Sequence, residues 1–404
     1  MKKETSLIFS VIVASFSGFQ FGYNTAIISG ALIYVAYDFP MSLKEQGWFV
    51  SIILLGALLG AMLASQTATR LGRKNSMMLA AVLFIVSGIM TGLGQELNIV
   101  TLGRFLQGAA IGLVSVVSPM YLAEISPSEK RGFYVSCNQF AITIGIVFAY
   151  GIAFLFAGNW HVMFGFGVVP ALIQVLGLLF VIDSPAKDTE KGSWKTLFSP
   201  QLAWPLMIGL FVSIFQQITG INAVIYFAPT IFKEAGFGSS SGALLASFGI
   251  GIINVIATAV SLVLLDKWGR RPLLLGSLVG MAIALIVMSS ALMTQSLFVG
   301  HISVICLMLY VAAFAMGTGP VPWLILSEIY IPSVRGLAMS LAIFVNWLSN
   351  FFVAFTFLDF AAGLTVAGTF FVYAALCVIG FFVAWKIVPE TKGRSLNEIE
   401  KSLR

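Results

Sequence analysis

Twelve long apolar stretches dominate this chain and leave it few ways to fold. They fall at residues 7–35, 47–68, 76–94, 98–123, 133–157, 160–182, 203–231, 241–265, 272–293, 297–327, 336–358 and 363–388. A helix of about 20 residues crosses the hydrocarbon core of a bilayer. Lipid offers no partners to backbone N–H and C=O groups, so each stretch must satisfy its hydrogen bonds internally as a helix. The pattern predicts an all-α integral membrane protein with twelve transmembrane helices.

The composition agrees, because only 9% of the 404 residues are charged and 59% are hydrophobic. Soluble domains have about 25% charged residues. The net charge of +6 is assigned to loops, and no nucleic-acid partner is expected. The three cysteines form no CxxC pair, and the two histidines do not cluster with them. No nucleophile–base pair or carboxylate pair stands out either. We therefore expect no enzyme activity, no catalytic residue, no metal site and no cofactor.

The basic residues predict the orientation of the chain. With a cytoplasmic N-terminus and twelve spans, 19 of the 22 lysines and arginines fall on the cytoplasmic side. Lys44 and Lys233 fall outside, and Arg104 lies within a span. We expect both termini to be cytoplasmic, in the plasma (inner) membrane.

A polar gap near the midpoint divides the chain into two groups of six stretches. We expect an N-terminal six-helix bundle at 1–182, a short cytoplasmic linker at 183–200, a C-terminal six-helix bundle at 201–388 and a cytoplasmic tail at 389–404.

The two halves repeat each other in sequence. RLGRK at 70–74 follows the second stretch, and KWGRR at 267–271 follows the eighth, 197 residues later. Glu124 precedes Arg131 by seven residues, and Glu328 precedes Arg335 by the same seven. Duplicated halves are a transporter architecture, with the substrate site near the membrane midplane.

The polar residues inside the spans are mostly amides and tryptophans. Burying such groups in hydrocarbon is costly unless they meet a partner or a water-filled cavity. Amides can donate to and accept from hydroxyl groups, so the set suits a neutral polyol better than an anion. The alternative is that individual amides only join neighbouring helices.

Gln216, Gln217 and Asn222 are the densest group of amides. On an unbroken helix Gln216 and Asn222 would lie about 120° apart, so no single stripe covers all three. Gly220 lies between them, and we expect it to loosen or kink the helix as in a discontinuous gating helix.

Arg104 is the one cation deep in a span and needs an acceptor. Asn24 or a backbone carbonyl could supply it. A proton-coupled carrier commonly uses an intramembrane Asp or Glu. In the first span the candidate position for proton coupling is Asn24, whose amide cannot titrate.

The chain resembles the sugar porter family of the major facilitator superfamily over nearly its whole length. The motifs that carry the resemblance are FGYN at 21–24, RLGRK at 70–74, GRFLQG at 103–108, NQ at 138–139, QQITGINAVIYFAP at 216–229, DKWGRRP at 266–272, PVPW at 320–323, NW at 346–347 and PETKGRS at 389–395. The QQxxGxN and PETKG strings are the most specific.

The resemblance implies a role for each matching position. Substrate-binding residues would be Gln139, Gln216, Gln217, Asn222, Asn254, Trp323, Asn346 and Trp347. The coupling position would be Asn24 with Arg104. A cytoplasmic gate network would comprise Arg70, Arg73, Glu124, Arg131, Asp266, Arg270, Arg271, Glu328 and Arg335. Plain positive-inside charge is the alternative for that network.

Family members coupled to protons carry Asp where this chain has Asn24, so the resemblance favours facilitative uniport. We expect the substrate to be a small neutral monosaccharide, with a hexose as the first candidate. We expect the protein to move it by alternating access and to work as a monomer in the lipid bilayer. The alternatives are a proton–sugar symporter, a sugar sensor that does not transport and, last, a membrane enzyme.

Several positions depart from the family pattern. Thr69 replaces the usual acid or amide before Arg70, Ser65 replaces a small glycine, and Asp183-Ser184-Pro185-Ala186 replaces PESPR. The linker is also shorter than the family's helical cytoplasmic segment.

Overall fold

A computed structural model describes residues 2–127, 131–184, 193–234, 240–294 and 298–393. Among these residues all regular structure is helical. The chain divides into two compact units, residues 1–189 and 190–404.

In its described residues, the first unit contains seven α-helices. They are α1 (Lys2–Asp38), α2 (Leu43–Leu71), α3 (Arg73–Leu93), α4 (Leu97–Ile125), α5 (Arg131–Leu155), α6 (Trp160–Gly165) and α7 (Val168–Leu178). The sixth predicted span is thus two helices, α6 and α7, separated at Phe166 and Gly167.

The described part of the second unit contains eight α-helices. They are α8 (Trp194–Leu197), α9 (Ala203–Ile218), α10 (Ile221–Glu234), α11 (Ser240–Trp268), α12 (Arg270–Leu292), α13 (Val299–Met316), α14 (Val321–Glu328) and α15 (Pro332–Ile387). A short 3-10 helix, Pro200–Leu202, precedes α9. The seventh and tenth predicted spans are each broken in two, into α9 and α10 and into α13 and α14.

The helix α15 has 56 residues, and Thr365 within it is non-helical with φ 66° and ψ 164°. A straight helix of this length would measure about 84 Å, against a hydrocarbon core of about 30 Å. The kink at Thr365 therefore separates the two predicted last spans. Within the described ranges, eleven apolar helical segments are long enough to cross a membrane, and dividing the last one at this kink gives twelve.

Helix pairing is the same in the two units. In the first, α2 and α3 pack on α4, and α1 packs on α5. In the second, α11 and α12 pack on α13, and α9 packs on α15. The repeated pairing follows the repeated motifs of the sequence. Each unit also joins two long helices through one glycine of positive φ, Gly72 (79°) and Gly269 (93°).

Close packing inside the bundle depends on small residues. A side-chain carbon at Gly108 of α4 would collide with the backbone oxygen of Ile53 in α2, and one at Gly60 of α2 would collide with Ala109. Lipid tails are as apolar as leucine, so helices in a bilayer associate through such backbone approach. Large apolar side chains such as Ile12, Met62 and Ile283 are exposed instead. These surfaces suit hydrocarbon, which makes the chain a multi-pass integral membrane protein.

Candidate functional site

The second unit holds a connected network of four amides where α9 ends. Gln217 donates from Nε2 to Asn346 Oδ1 (2.9 Å), and Asn346 Nδ2 donates to Gln216 Oε1 (2.8 Å). Asn222 Nδ2 donates to Gln217 Oε1 (2.6 Å). The structure thus brings together four of the predicted substrate-binding residues.

A break in the helix makes this grouping possible. The helix α9 ends at Ile218, Gly220 has a φ of 94°, and α10 begins at Ile221. Glycine adopts this left-handed conformation without the steric cost of a side chain. The break changes the direction of the chain, so Asn222 reaches Gln217, which an unbroken helix would not allow. The predicted weakness at Gly220 is confirmed.

The network is rooted in backbone oxygens of neighbouring segments. Gln216 Nε2 donates to Gly319 O (2.8 Å) and Thr318 O (3.3 Å), which lie between α13 and α14. Asn346 Nδ2 also donates to Ser213 O (2.8 Å). These carbonyl partners could not be predicted from the sequence, because every residue has a backbone carbonyl.

Hydrogen-bonding capacity is left open at one end of the network. Gln216, Gln217 and Asn346 are 3%, 6% and 2% exposed, and their amide groups each make at least two hydrogen bonds. Asn222 is only half-buried. Within the described residues its side chain makes one hydrogen bond, which leaves one N–H and the carbonyl oxygen for a ligand.

A second polar pair lies one helical turn further along both helices. Asn350 Nδ2 donates to the hydroxyl of Tyr226 (2.9 Å). Tyr226 follows Asn222 by four residues and Asn350 follows Asn346 by four, so each pair shares a helix face. That spacing was the available signal, although neither residue was predicted from the sequence to belong to the site.

The other predicted substrate-binding residues lie outside the amide network. Asn254 is buried on α11 and makes no hydrogen bond to another described residue, and Trp323 is half-buried on α14. Trp347 is buried on α15 next to Asn346. Gln139 is half-buried on α5 in the first unit.

In the first unit, Arg104 is fully buried beside Asn24. Its Nη1 donates to the backbone oxygen of Asn24 (2.8 Å) and to Gln107 Oε1 (3.2 Å). The guanidinium carbon lies 5.5 Å from the ring centroid of Phe164, within cation–π distance. The acceptor is thus the backbone carbonyl of Asn24, one of the two predicted possibilities. Asn24 Nδ2 in turn donates to Gln20 O (2.9 Å) and Gln20 Oε1 (3.1 Å).

Among the residues that the structure describes, each unit forms one ion pair of the predicted gate network. Arg73 bonds Glu124 (3.0 Å) and donates to Ala68 O (3.0 Å) in the first. In the second, Arg270 bonds Glu328 (2.9 Å) and donates to Leu265 O (3.2 Å). Both described pairs lie within their own unit.

A hydroxyl completes each of these ion pairs. Ser184 Oγ donates to Glu124 Oε2 in the first unit. Thr391 Oγ1 donates to Glu328 Oε2 (2.6 Å) in the second.

The remaining gate residues are placed differently. Arg335 donates to the backbone oxygen of Tyr330 (3.2 and 3.3 Å), and Arg271 donates to that of Trp385. Arg70 is exposed and forms no ion pair with a described residue. The side chains of Arg131 and Asp266 lie outside the described residues.

Glu390 anchors the tail segment to the start of α12. Its carboxylate accepts from the backbone N–H groups of Arg270 (3.0 Å) and Arg271 (3.1 Å). Partial burial alone raises the pKa of Glu390, but four backbone N–H donors outweigh it and the pKa is lowered. In the first unit, Asp183 contacts the Lys74 ammonium at 3.9 Å.

Comparison with known proteins assigns the family. A family model described as sugar (and other) transporter matches residues 10–186 and again 186–403. The chain is 35% identical to a D-xylose transporter of Levilactobacillus brevis, over all of this chain and 97% of that protein. It is 34% identical to the glucose transporter GlcP of Staphylococcus epidermidis, over all of this chain and 98% of that one.

A solved structure agrees with the sequence comparisons. The proton:xylose symporter XylE bound to 6-bromo-6-deoxy-D-glucose is 31% identical, covers both chains completely and superposes with a TM-score of 0.85. Its fold is that of the major facilitator superfamily. The chain belongs to the sugar porter family of the major facilitator superfamily.

Proposed function

We propose that this protein carries a neutral monosaccharide across a membrane by alternating access, in which the bound sugar is exposed first to one side and then to the other. The observation that carries the proposal is the uncharged network of Gln216, Gln217, Asn222 and Asn346. Buried amides are costly unless each finds partners. The open capacity at Asn222 suits hydroxyl groups, which donate and accept as amides do.

A hexose is the expected substrate, and a pentose is the second candidate because a relative is a D-xylose transporter. No charged side chain takes part in the described network, and this supports a neutral ligand. Gln139, Asn254, Trp323 and Trp347 are proposed as further contacts to the sugar.

Facilitative uniport is the favoured mode of transport. Asn24 is 2% exposed and next to Arg104, where a titratable acid could have coupled proton movement. An amide there binds no proton at physiological pH. Proton symport is the second candidate, because the similar XylE is a proton:xylose symporter.

The proposed setting is the plasma (inner) membrane, with a monomer as the working unit and both termini in the cytoplasm. The positive-inside distribution of lysines and arginines supports this orientation. In it, the Arg73–Glu124 and Arg270–Glu328 ion pairs lie at the cytoplasmic ends of the helices and serve the gate.

The test is uptake of radiolabelled D-glucose, D-galactose and D-xylose into proteoliposomes, with and without an inward proton gradient. Counterflow without gradient-driven accumulation is expected. Accumulation driven by the gradient would reject uniport in favour of symport, and binding without counterflow would indicate a sensor. If the protein neither binds nor transports any neutral sugar, the proposal is overturned. Asn222→Ala should lose uptake, whereas Ser349→Ala, whose hydroxyl bonds only within its own helix, should retain it.

A further inference from the structure

Two helical segments of the second unit are each interrupted by a break. A side chain from each segment hydrogen-bonds backbone carbonyls at the break of the other. One break separates α9 from α10 at Thr219 and Gly220, and the other separates α13 from α14 at 317–320. A helix that breaks leaves backbone carbonyls without their usual N–H partners, and inside a membrane these must be satisfied by other groups.

The first half of this arrangement is the amide of Gln216. Its Nε2 donates to Gly319 O and Thr318 O, so a side chain at the end of α9 caps carbonyls of the α13–α14 break. Two carbonyl acceptors can only be matched by the NH₂ group. This fixes the orientation of the amide and turns Oε1 towards Asn346.

The second half is the hydroxyl of Tyr310. Tyr310 lies on α13, two turns before its break, and is fully buried. Its hydroxyl donates to the backbone oxygen of Thr219 (2.9 Å), a carbonyl of the α9–α10 break. Thr219 is also fully buried, so water does not replace this bond readily. Each break is thus closed by a side chain from the other helix.

Neighbouring contacts hold both breaks in place. Thr318 N donates to Ser277 Oγ of α12 (2.9 Å), and the two hydroxyls of these residues lie 2.5 Å apart. The ring of Tyr373 packs directly over Gly220.

We propose that Tyr310 is a positioning residue for the sugar site, acting by holding the α9–α10 break in the geometry that joins Asn222 to Gln217. Asn222 comes three residues after the carbonyl that Tyr310 binds, and its side chain is the open end of the amide network. Movement at Thr219 therefore moves the group offered to the ligand. The reciprocal bond from Gln216 couples this position to the α13–α14 break.

This inference rests on the proposed function, and its test has one readout that does not need a sugar. Hydrogen exchange followed by mass spectrometry would compare the full-length wild type with Tyr310→Phe, which keeps the ring and loses the hydroxyl. Exchange at residues 219–224 should rise about tenfold, as expected when about 1.4 kcal/mol of local stability is lost. Gln216→Ala removes the reciprocal bonds to the α13–α14 break and should raise exchange at 317–321.

The matched control is Tyr373→Phe. It keeps the ring that packs over Gly220 and removes a hydroxyl that makes no hydrogen bond to a described residue. Neither exchange at 219–224 nor sugar affinity should change in this variant. Unchanged exchange in Tyr310→Phe would show that the Tyr310 hydroxyl does not hold the α9–α10 break.

The second readout is equilibrium binding of D-glucose and D-xylose to the folded protein. Tyr310→Phe should weaken binding of the preferred sugar several-fold, which a role in stability alone would not produce. Faster exchange with unchanged affinity would refute the positioning role. If the wild type binds neither sugar, the proposed function fails. The exchange result still decides whether the Tyr310 hydroxyl holds the α9–α10 break.

Discussion

Gln217 donates a hydrogen bond to Asn346 across 2.9 Å, although 129 residues separate them in the chain. The bond joins the end of α9 to α15, and Asn346 extends the connection to Gln216 and to the backbone of Ser213. Asn346 therefore connects the amides at the end of α9 to α15.

The first prediction concerns Asn346→Ala. The truncation removes the acceptor that Gln217 Nε2 bonds at 2.9 Å and the donor that Gln216 Oε1 bonds at 2.8 Å. Loss of a buried hydrogen-bond partner costs about 1–3 kcal/mol, and here it loosens the amides that carry Asn222. We expect sugar affinity in an equilibrium binding assay to fall by about tenfold or more. Ser349→Ala on the same helix is the control and should bind as the wild type does. Equal affinity in the wild type and Asn346→Ala would remove Asn346 from the site.

The second prediction concerns Gly220→Ala. Alanine at this position must adopt an unfavourable φ of 94°. Its methyl group also collides with the ring of Tyr373. A left-handed residue with a side chain costs about 1–2 kcal/mol, and the collision adds to it. Gly158→Ala has a φ of 98° but open space, so it measures the backbone cost alone.

Thermal unfolding of the purified variants would check this order. Gly276→Ala, within α12 and facing open space, should not lower the unfolding temperature. Gly158→Ala should lower it slightly, and Gly220→Ala should lower it most. An unfolding temperature for Gly220→Ala equal to that of Gly158→Ala would show that the Tyr373 contact yields freely.

The third prediction concerns Asn24→Asp. Asn24 Nδ2 donates to two oxygens of Gln20, and an aspartate can donate there only in its protonated form. Sugar uptake by this variant should therefore rise as the pH falls, whereas uptake by the wild type should be independent of pH. Asn24→Ser, which does not titrate, is the control. A flat pH profile for Asn24→Asp would argue against a coupling role at this position.

The fourth prediction concerns Glu390→Gln. The pKa of Glu390 is lowered in the folded protein, so the ionised carboxylate adds stability at pH values above its unfolded pKa. That contribution is lost as the pH falls through the folded pKa. The wild type should unfold at a higher temperature than Glu390→Gln at pH 7, and the difference should shrink below about pH 4. A difference that stays constant with pH would mean that the charge of Glu390 does not stabilise α12.

Much of this protein could be predicted from composition and motif spacing. Apolar stretches long enough to span lipid predicted the helices, since the bilayer leaves the backbone no other way to satisfy its hydrogen bonds. The repeated Glu-to-Arg spacing indicated Glu124 and Glu328, and each forms an ion pair with an arginine of the repeated loop motif in its own unit. The FGYN string at 21–24 indicated Asn24, whose backbone oxygen binds Arg104.

The arrangement of the site was beyond sequence reasoning. Helical periodicity placed Gln216 and Asn222 on different faces, because it assumed one continuous helix. Tyr310 and the carbonyls of Thr219, Thr318 and Gly319 had no signal at all. Backbone groups become specific partners only where a helix breaks, and a break gains its partners from segments distant in the chain.

The sequence by itself determined that this chain spans a membrane as two repeated sets of helices carrying uncharged polar groups, because the cost of burying charge and backbone in lipid acts on every residue locally. Only the tertiary structure decided which of those groups meet. Hydrogen bonds act over about 3 Å, and the pairs that come within this distance are set by helix breaks and packing rather than by spacing along the chain.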